Sequence, residues 1–380
     1  MRPAAAFLAR SAVRPSCTLL LLCAALLAGC GTGTDTRPLA TPDLARLAAE
    51  RGLDPAEVLH PFEPTPEMRL WLEDRVTPRQ DAEEQLDELL TKLLSPRGLG
   101  LVYEAGYSAT AAEAFAARKA NCLGFTNLFV ALGRELGVPV YFLAVDEVET
   151  FAKGEDLVVV SRHVTAGYGV RNDVKVLEFS SSSDIGYNLV RRVSDATAVA
   201  LYYSNRGAEM VQAGDAVAAL DQLAIATRLD PELAMGWVNL GVARRRTGDL
   251  DGAEAAYRRA LELDPRAPSA YQNLAALLRH RGRAEEAETL ARRLAETGSR
   301  NPYNFLSLGD HALRRGELEQ AGQFYRRALR LQREDAETYA ALGLWAVAVG
   351  DRDEARRLLA KARGFDPDHP RVRELARRLS

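Results

Sequence analysis

Cysteine is scarce in this chain of 380 residues: there are four, at positions 17, 23, 30 and 122. So few, so unevenly placed, cannot staple a fold built on disulfides. Histidine numbers five, and His60, His280, His311 and His369 have no metal-ligand spacing, so neither a metal nor a cofactor is called for. Charge of one sign is missing too. The 49 basic residues face 52 acidic ones, a net charge of −3, which argues against nucleic acid as a partner. No Gly-rich phosphate loop appears, and Ser181–Ser183 has no Gly-x-Ser-x-Gly around it. No apolar run reaches the roughly 18 residues that a membrane span needs. What remains is a chain of 47% hydrophobic content, long enough for two or three folded domains.

The first residues read as an export signal. Arg2, Arg10 and Arg14 precede a short apolar run, Leu19–Leu27, and no acidic residue occurs before Asp35. Leu27-Ala28-Gly29-Cys30 closes the run and resembles the lipobox of bacterial lipoproteins. The resemblance implies cleavage before Cys30, lipidation of its thiol, and anchoring by acyl chains. Gly31 stands where the family places Asp for inner-membrane retention, so the expected site is the bacterial outer membrane, facing the periplasm. Removing the three arginines before Cys30 leaves 46 basic against 52 acidic residues, with Cys122 as the one free thiol.

Five segments are expected: a signal peptide over 1–29, a lipidated Cys and Pro-rich tether over 30–66, a mixed domain over 67–198, a repeat array over 199–368 and a capping helix over 369–380. In the mixed domain, helical periods run through Ala82–Leu94, Thr110–Lys119 and Cys122–Leu136. The β-branched runs Val138–Val145, Leu157–Val170 and Val174–Phe179 follow. Helices first and strands afterwards predict an α+β fold with an antiparallel sheet.

The array is periodic at 34 residues: Gly214, Gly248, Gly282, Gly316 and Gly350 align, as do Ala219, Ala253, Ala287, Ala321 and Ala355. An aromatic recurs at Tyr203, Trp237, Tyr271, Phe305 and Tyr339. This pattern resembles the tetratricopeptide repeat (TPR), which implies five helical hairpins stacked as an all-α solenoid. Asp-Pro closes three units but not the third or fourth, which leaves those two turns open. Such a stack presents a groove for a protein or peptide partner. In register, the groove wall is expected to hold Ser204, Ala208, Val238, Val242, Gln272, Ala276, Leu306, Asp310, Ala340 and Leu344. These are mostly small or apolar, so an apolar segment is the expected occupant. Arg244-Arg245-Arg246 and Arg326-Arg327 read as solvated faces.

One constellation in the mixed domain suits chemistry. Cys122 opens a helix, where the dipole favours thiolate, the nucleophilic form, and Arg118 and Lys119 add positive charge nearby. His163 lies in a strand-like run, placed to exchange a proton with the thiol, and Glu178 follows as an acid able to orient the imidazole. The segment from Arg69 to Ala198 resembles the papain-like transglutaminase superfamily at Asn121-Cys122, Leu128-Phe129, Arg134–Gly137, Arg162-His163-Val164 and Val176–Ser180. The resemblance implies Cys122 as nucleophile and His163 as base. The third place is Asp in the family, where this chain offers Glu178 or Asp184. The implied activity is amide hydrolysis or acyl transfer through a Cys thioester, so the chain leans towards an enzyme. A scaffold with an inactive thiol module is the alternative.

Overall fold

A computed structural model describes residues 40–79, 81–154, 157–170, 173–177, 190–296 and 302–380. Helix α1, Thr41–Glu50, begins with Pro42 in its first turn, and a 3-10 turn follows at Pro55–Glu57. Leu44, Ala48, Val58 and Phe62 are buried in the main core. Residues 41–66 are therefore not a tether, as the prolines had suggested. The spacing of Leu44, Leu47 and Ala48 gives α1 an apolar stripe, and burying it outweighs the freedom of a linker.

Helices α2 (Pro66–Arg75) and α3 (Ala82–Leu94) start at Thr65 and Asp81, whose side chains accept from backbone N–H groups three residues on. A short parallel pair joins β1 (Val102–Tyr103) to β2 (Lys119–Ala120), with α4 (Ala111–Ala117) between them. Arg118 takes the left-handed conformation, φ 55°, and turns the chain from α4 into β2. Helix α5, Cys122–Glu135, is buried over almost its whole length. Four strands follow: β3 (Tyr141–Gly154), β4 (Leu157–Val170), β5 (Asp173–Leu177) and β6 (Val190–Arg192). They form one antiparallel sheet in the order β5-β4-β3-β6, against which α5 packs at β4. The expected helices-then-sheet region is present. Its first long strand starts at Tyr141, past the Gly137 turn and Pro139, rather than at Val138.

Five helical hairpins complete the chain: α6 (Asp195–Gln212) with α7 (Ala216–Leu229), α8 (Ala234–Arg246) with α9 (Leu250–Leu263), α10 (Pro268–His280) with α11 (Ala284–Glu296), α12 (Pro302–Arg314) with α13 (Leu318–Leu331), and α14 (Ala336–Ala348) with α15 (Arg352–Phe365). Helix α16, Pro370–Leu379, packs on the last hairpin through Val372 and Leu375. Each hairpin turns at its aligned Gly, all five with φ between 75° and 93°. That left-handed residue lets the next N–H reach back to the helix, as Asp351 N does to Ala346 O at 2.9 Å. The aligned alanines are at most 1% exposed, so the helices of each pair meet across them. The fourth repeat, without Asp-Pro, passes into the fifth through Asp335, which caps α14 by accepting from Thr338 N. The corresponding turn of the third repeat lies outside the described residues.

The two regions share a core. One apolar cluster runs from Leu44 through the sheet to Ala260 and Ala270 in the second and third hairpins.

Candidate functional site

Cys122 is the first residue of α5, and Asn121 is its N-cap. Asn121 Oδ1 accepts from Gly124 N at 3.0 Å, and its Nδ2 donates to Ser108 Oγ at 2.8 Å. Gly124 is required there: a Cβ would lie 2.9 Å from Ala109 N. Thr126 Oγ1 donates to Cys122 O at 2.7 Å and also contacts Val164 O at 3.2 Å. This places the start of α5 on β4, beside the chain neighbour of His163. Of His163 only the backbone is described, in β4, where the pairing with β3 shifts register between Ala144 and Glu149. The extra residues of that shift lie in β3, between Ala144 and Glu149. Cys30, Glu178 and Asp184 lie outside the described residues.

The thiol is not in the environment its helix position suggests. Burial pushes Cys122 above the ordinary thiol value. The backbone N–H groups of Val164, Leu123 and Cys122 itself pull the other way, and Glu209 adds to the rise. Lys119 gives the thiol no help: its Nζ pairs with Glu104 at 3.0 Å and lies over the Tyr107 ring. Desolvation here exceeds the contribution of one helix end.

Sequence reasoning missed Glu209. It projects from α6 of the first hairpin, accepts from Ser108 N at 2.9 Å, and lies 3.5 Å from Asn121 Nδ2. Burial raises its carboxyl, against the lowering effect of Ser108. No local signal links Glu209 to Asn121, because the two stand 88 residues apart on opposite sides of the expected domain boundary.

Among the groove residues, Ser204, Val238, Val242 and Leu306 are at most 2% exposed. Ser204 Oγ accepts from Asn239 Nδ2 at 3.1 Å, inside the stack. Ala208 and Ala340 are buried as well. Leu344 is half-buried and packs with the C-terminal core. Gln272, Ala276 and Asp310 line a pocket on the face made by the first helices of the hairpins. That pocket is basic rather than apolar, because Arg245, Arg279, Arg314 and Arg371 also line it. The expectation of an apolar wall is corrected accordingly: Ala208, Val238, Val242, Leu306 and Ala340 turn inward between helices. Arg245, read as part of a solvated face, is half-buried.

The model of the Cilia and flagella-associated protein 70 C-terminal domain matches residues 191–375. The C-terminal half is a TPR-like solenoid. Solved TPR proteins align with part of the chain at low identity. PilF of Pseudomonas aeruginosa is 23% identical, over 49% of this chain and 83% of its own, with a TM-score of 0.42. A thermophilic TPR protein of Thermus thermophilus is 24% identical, over 46% of this chain and 95% of its own, with a TM-score of 0.38. YrrB, described as a TPR protein with an unusual peptide-binding site, is 18% identical, over 47% of this chain and 92% of its own, with a TM-score of 0.35. No curated protein matches the chain by sequence. No helix among the described residues is long and apolar enough to cross a membrane.

Proposed function

We propose that the protein is a cell-envelope scaffold, lipid-anchored through Cys30, whose TPR-like solenoid binds a protein partner. The observation that carries this reading is the first-helix face, which keeps polar side chains at a pocket while the repeat alanines and aromatics close the interior. A photocrosslinking residue placed at Ala276 or Ser307, both half-buried on that face, is expected to capture envelope proteins. The same residue at Glu285, exposed on α11, serves as the control. Equal capture at all three positions, or none at the first two, would sink the reading.

A second reading, thiol chemistry at Cys122, is favoured by the cap of α5 and the three backbone N–H groups that pull against burial. In it, Cys122 attacks an amide carbonyl, His163 carries the proton to the leaving amine, and water or another amine resolves the thioester. Alkylation of Cys122 decides between the readings. A rate that rises only above the ordinary thiol range and ignores His163→Ala fits the scaffold. A fast neutral rate lost in His163→Ala fits the enzyme.

A further inference from the structure

The pocket on the first-helix face measures about 390 Å³. Arg245, Arg279 and Arg314 come from the last turns of α8, α10 and α12, and Arg371 comes from the first turn of α16. Against these four guanidinium groups the lining offers one carboxylate, Asp310. Asp310 is already engaged: Arg371 grips both its oxygens, one at 2.9 Å, and Tyr325 Oη donates to it at 2.8 Å. Arg371 Nε lies 3.4 Å from Glu337 as well. Arg245 and Arg314 then bring positive charge that no second carboxylate of the lining answers.

A bland account exists for Arg245, Arg279 and Arg314 taken singly, since cations in a last helical turn complement the dipole. It does not cover two further atoms. Gln272 is 5% exposed, and its Oε1 is buried without a hydrogen-bond partner among the described residues. Arg245 Nη1 is buried in the same condition. Native structures rarely leave such atoms unmatched unless a ligand or water supplies the match. The two atoms ask for opposite partners: the guanidinium needs an acceptor, and the amide oxygen needs a donor. A peptide carries both, a carboxylate side chain and a backbone N–H. A phosphodiester strand meets the guanidinium with acceptors, but its backbone has no donor for Gln272.

We propose that this pocket binds an acidic segment of a protein partner, with an Asp or Glu carboxylate among Arg245, Arg279 and Arg314 and a peptide N–H on Gln272 Oε1. The proposal rests on the scaffold reading and specifies its partner's chemistry. The positions follow the repeat: Arg245 and Arg279 stand 34 residues apart, and Arg314 follows one repeat and one residue later. An extended acidic chain is thus met by cations repeating along the stack.

The test uses the full chain in detergent and fluorescein-labelled probes: a peptide rich in Asp and Glu, its Asn and Gln counterpart, and single-stranded oligo-dT. The acidic peptide is expected to bind with an affinity that falls as salt rises, and the amide counterpart is not. Arg245→Gln and Arg314→Glu should each weaken it by about tenfold or more. Arg314 is exposed, so its variant keeps the fold even if Arg245→Gln does not, and a thermal melt checks both. Equal binding of the amide peptide, indifference to Arg314→Glu, or binding of oligo-dT alone would overturn the proposal. Loss of acidic-peptide binding with crosslinking at Ala276 and Ser307 retained would overturn it and leave the scaffold standing. Loss of both would end both.

Discussion

The α+β body and the repeat stack are held together in different ways. In the stack the same contact recurs: an aligned alanine at the crossing, a left-handed glycine at the turn, a tyrosine under a glycine. Gly241 and Gly309 show the last of these, each with a position where a Cβ would fall 2.4 Å from the ring of Tyr257 or Tyr325. In the body each contact occurs once and joins distant parts of the chain. Arg134 at the end of α5 forks onto Asp195 at the start of α6, at 2.7 and 2.9 Å, while its Nε donates to Val140 O. Tyr203 Oη accepts from Leu59 N at 2.6 Å across 144 residues. A stack of near-neighbour contacts tolerates local damage; a body of single long-range contacts does not.

The largest effect is therefore expected at Arg134. Its side chain is 18% exposed and that of Asp195 is 7% exposed, so Arg134→Ala removes one member of a buried pair. It also takes a guanidinium from over the Phe62 and Phe142 rings. The expected loss is about 3–5 kcal/mol, read by denaturant melts, and it should unfold body and first hairpin together. A change under about 1 kcal/mol would mean that the shared apolar core alone joins the two regions. Gly309→Ala comes next, at about 1–3 kcal/mol, because Tyr325 is wholly buried and has little room to yield. Hydrogen exchange should report that loss in α12 to α16 and leave α5 and the sheet protected. Loss of protection throughout would erase the contrast between the regions.

The same contrast decides what the sequence makes visible. Columns at 34-residue spacing reveal hairpins, turns and the alanine crossings, because each repeat states the rule again. A further column was equally open to reading: Gly207, Gly241, Ala275, Gly309 and Gly343, where small residues admit the neighbouring helix. The groove wall was harder. Register places a residue on the first helix, but 3.6 residues per turn divides that helix between an interior and an outer face. Val242 and Leu306 fell on the interior, and Arg245 and Arg279 on the pocket. In the body, α5 and its Asn121 cap follow from residues that adjoin in sequence. Glu209 could not follow, since only folding brings α6 against Ser108. A short helix near Pro42–Arg51 can be read from the sequence, but its burial in the core was hidden for another reason: the prolines around it resemble linker composition, while its apolar stripe is a single turn and a half long.

A smaller test compares turns. Gly316 sits at φ 75° with no atom close enough to obstruct a Cβ, so Gly316→Ala isolates backbone conformation from crowding. About 1 kcal/mol is expected, below the loss at Gly309, and equal losses in thermal melts would show that the crossing is softer than its geometry implies.

The finest comparison sets two glutamates with opposite shifts against each other. Glu254, on the outer side of the stack, meets Arg258 at 2.8 Å and Arg283 at 2.8 Å. Burial alone would raise its carboxyl, but these bonds hold it below the usual carboxylate range. Its stabilisation is present above the unfolded carboxylate value and is lost as pH falls through the lower folded one. Glu209, at the junction with the body, is raised by burial. Its charged form therefore costs stability at neutral pH, and that cost is relieved as pH falls through the raised value. Stability of the full chain should first gain from Glu209 on mild acidification and then lose from Glu254 in stronger acid. Glu209→Gln should flatten the first change and Glu254→Gln the second, measured as melting temperature against pH. The Glu254 effect should stay under about 1 kcal/mol, as expected of an ion-pair network near the surface. If Glu209→Gln steepened the loss towards neutral pH, Glu209 would be stabilised as a carboxylate beside Asn121. The junction would then behave like the stack, with its buried acid matched by local donors rather than strained by burial.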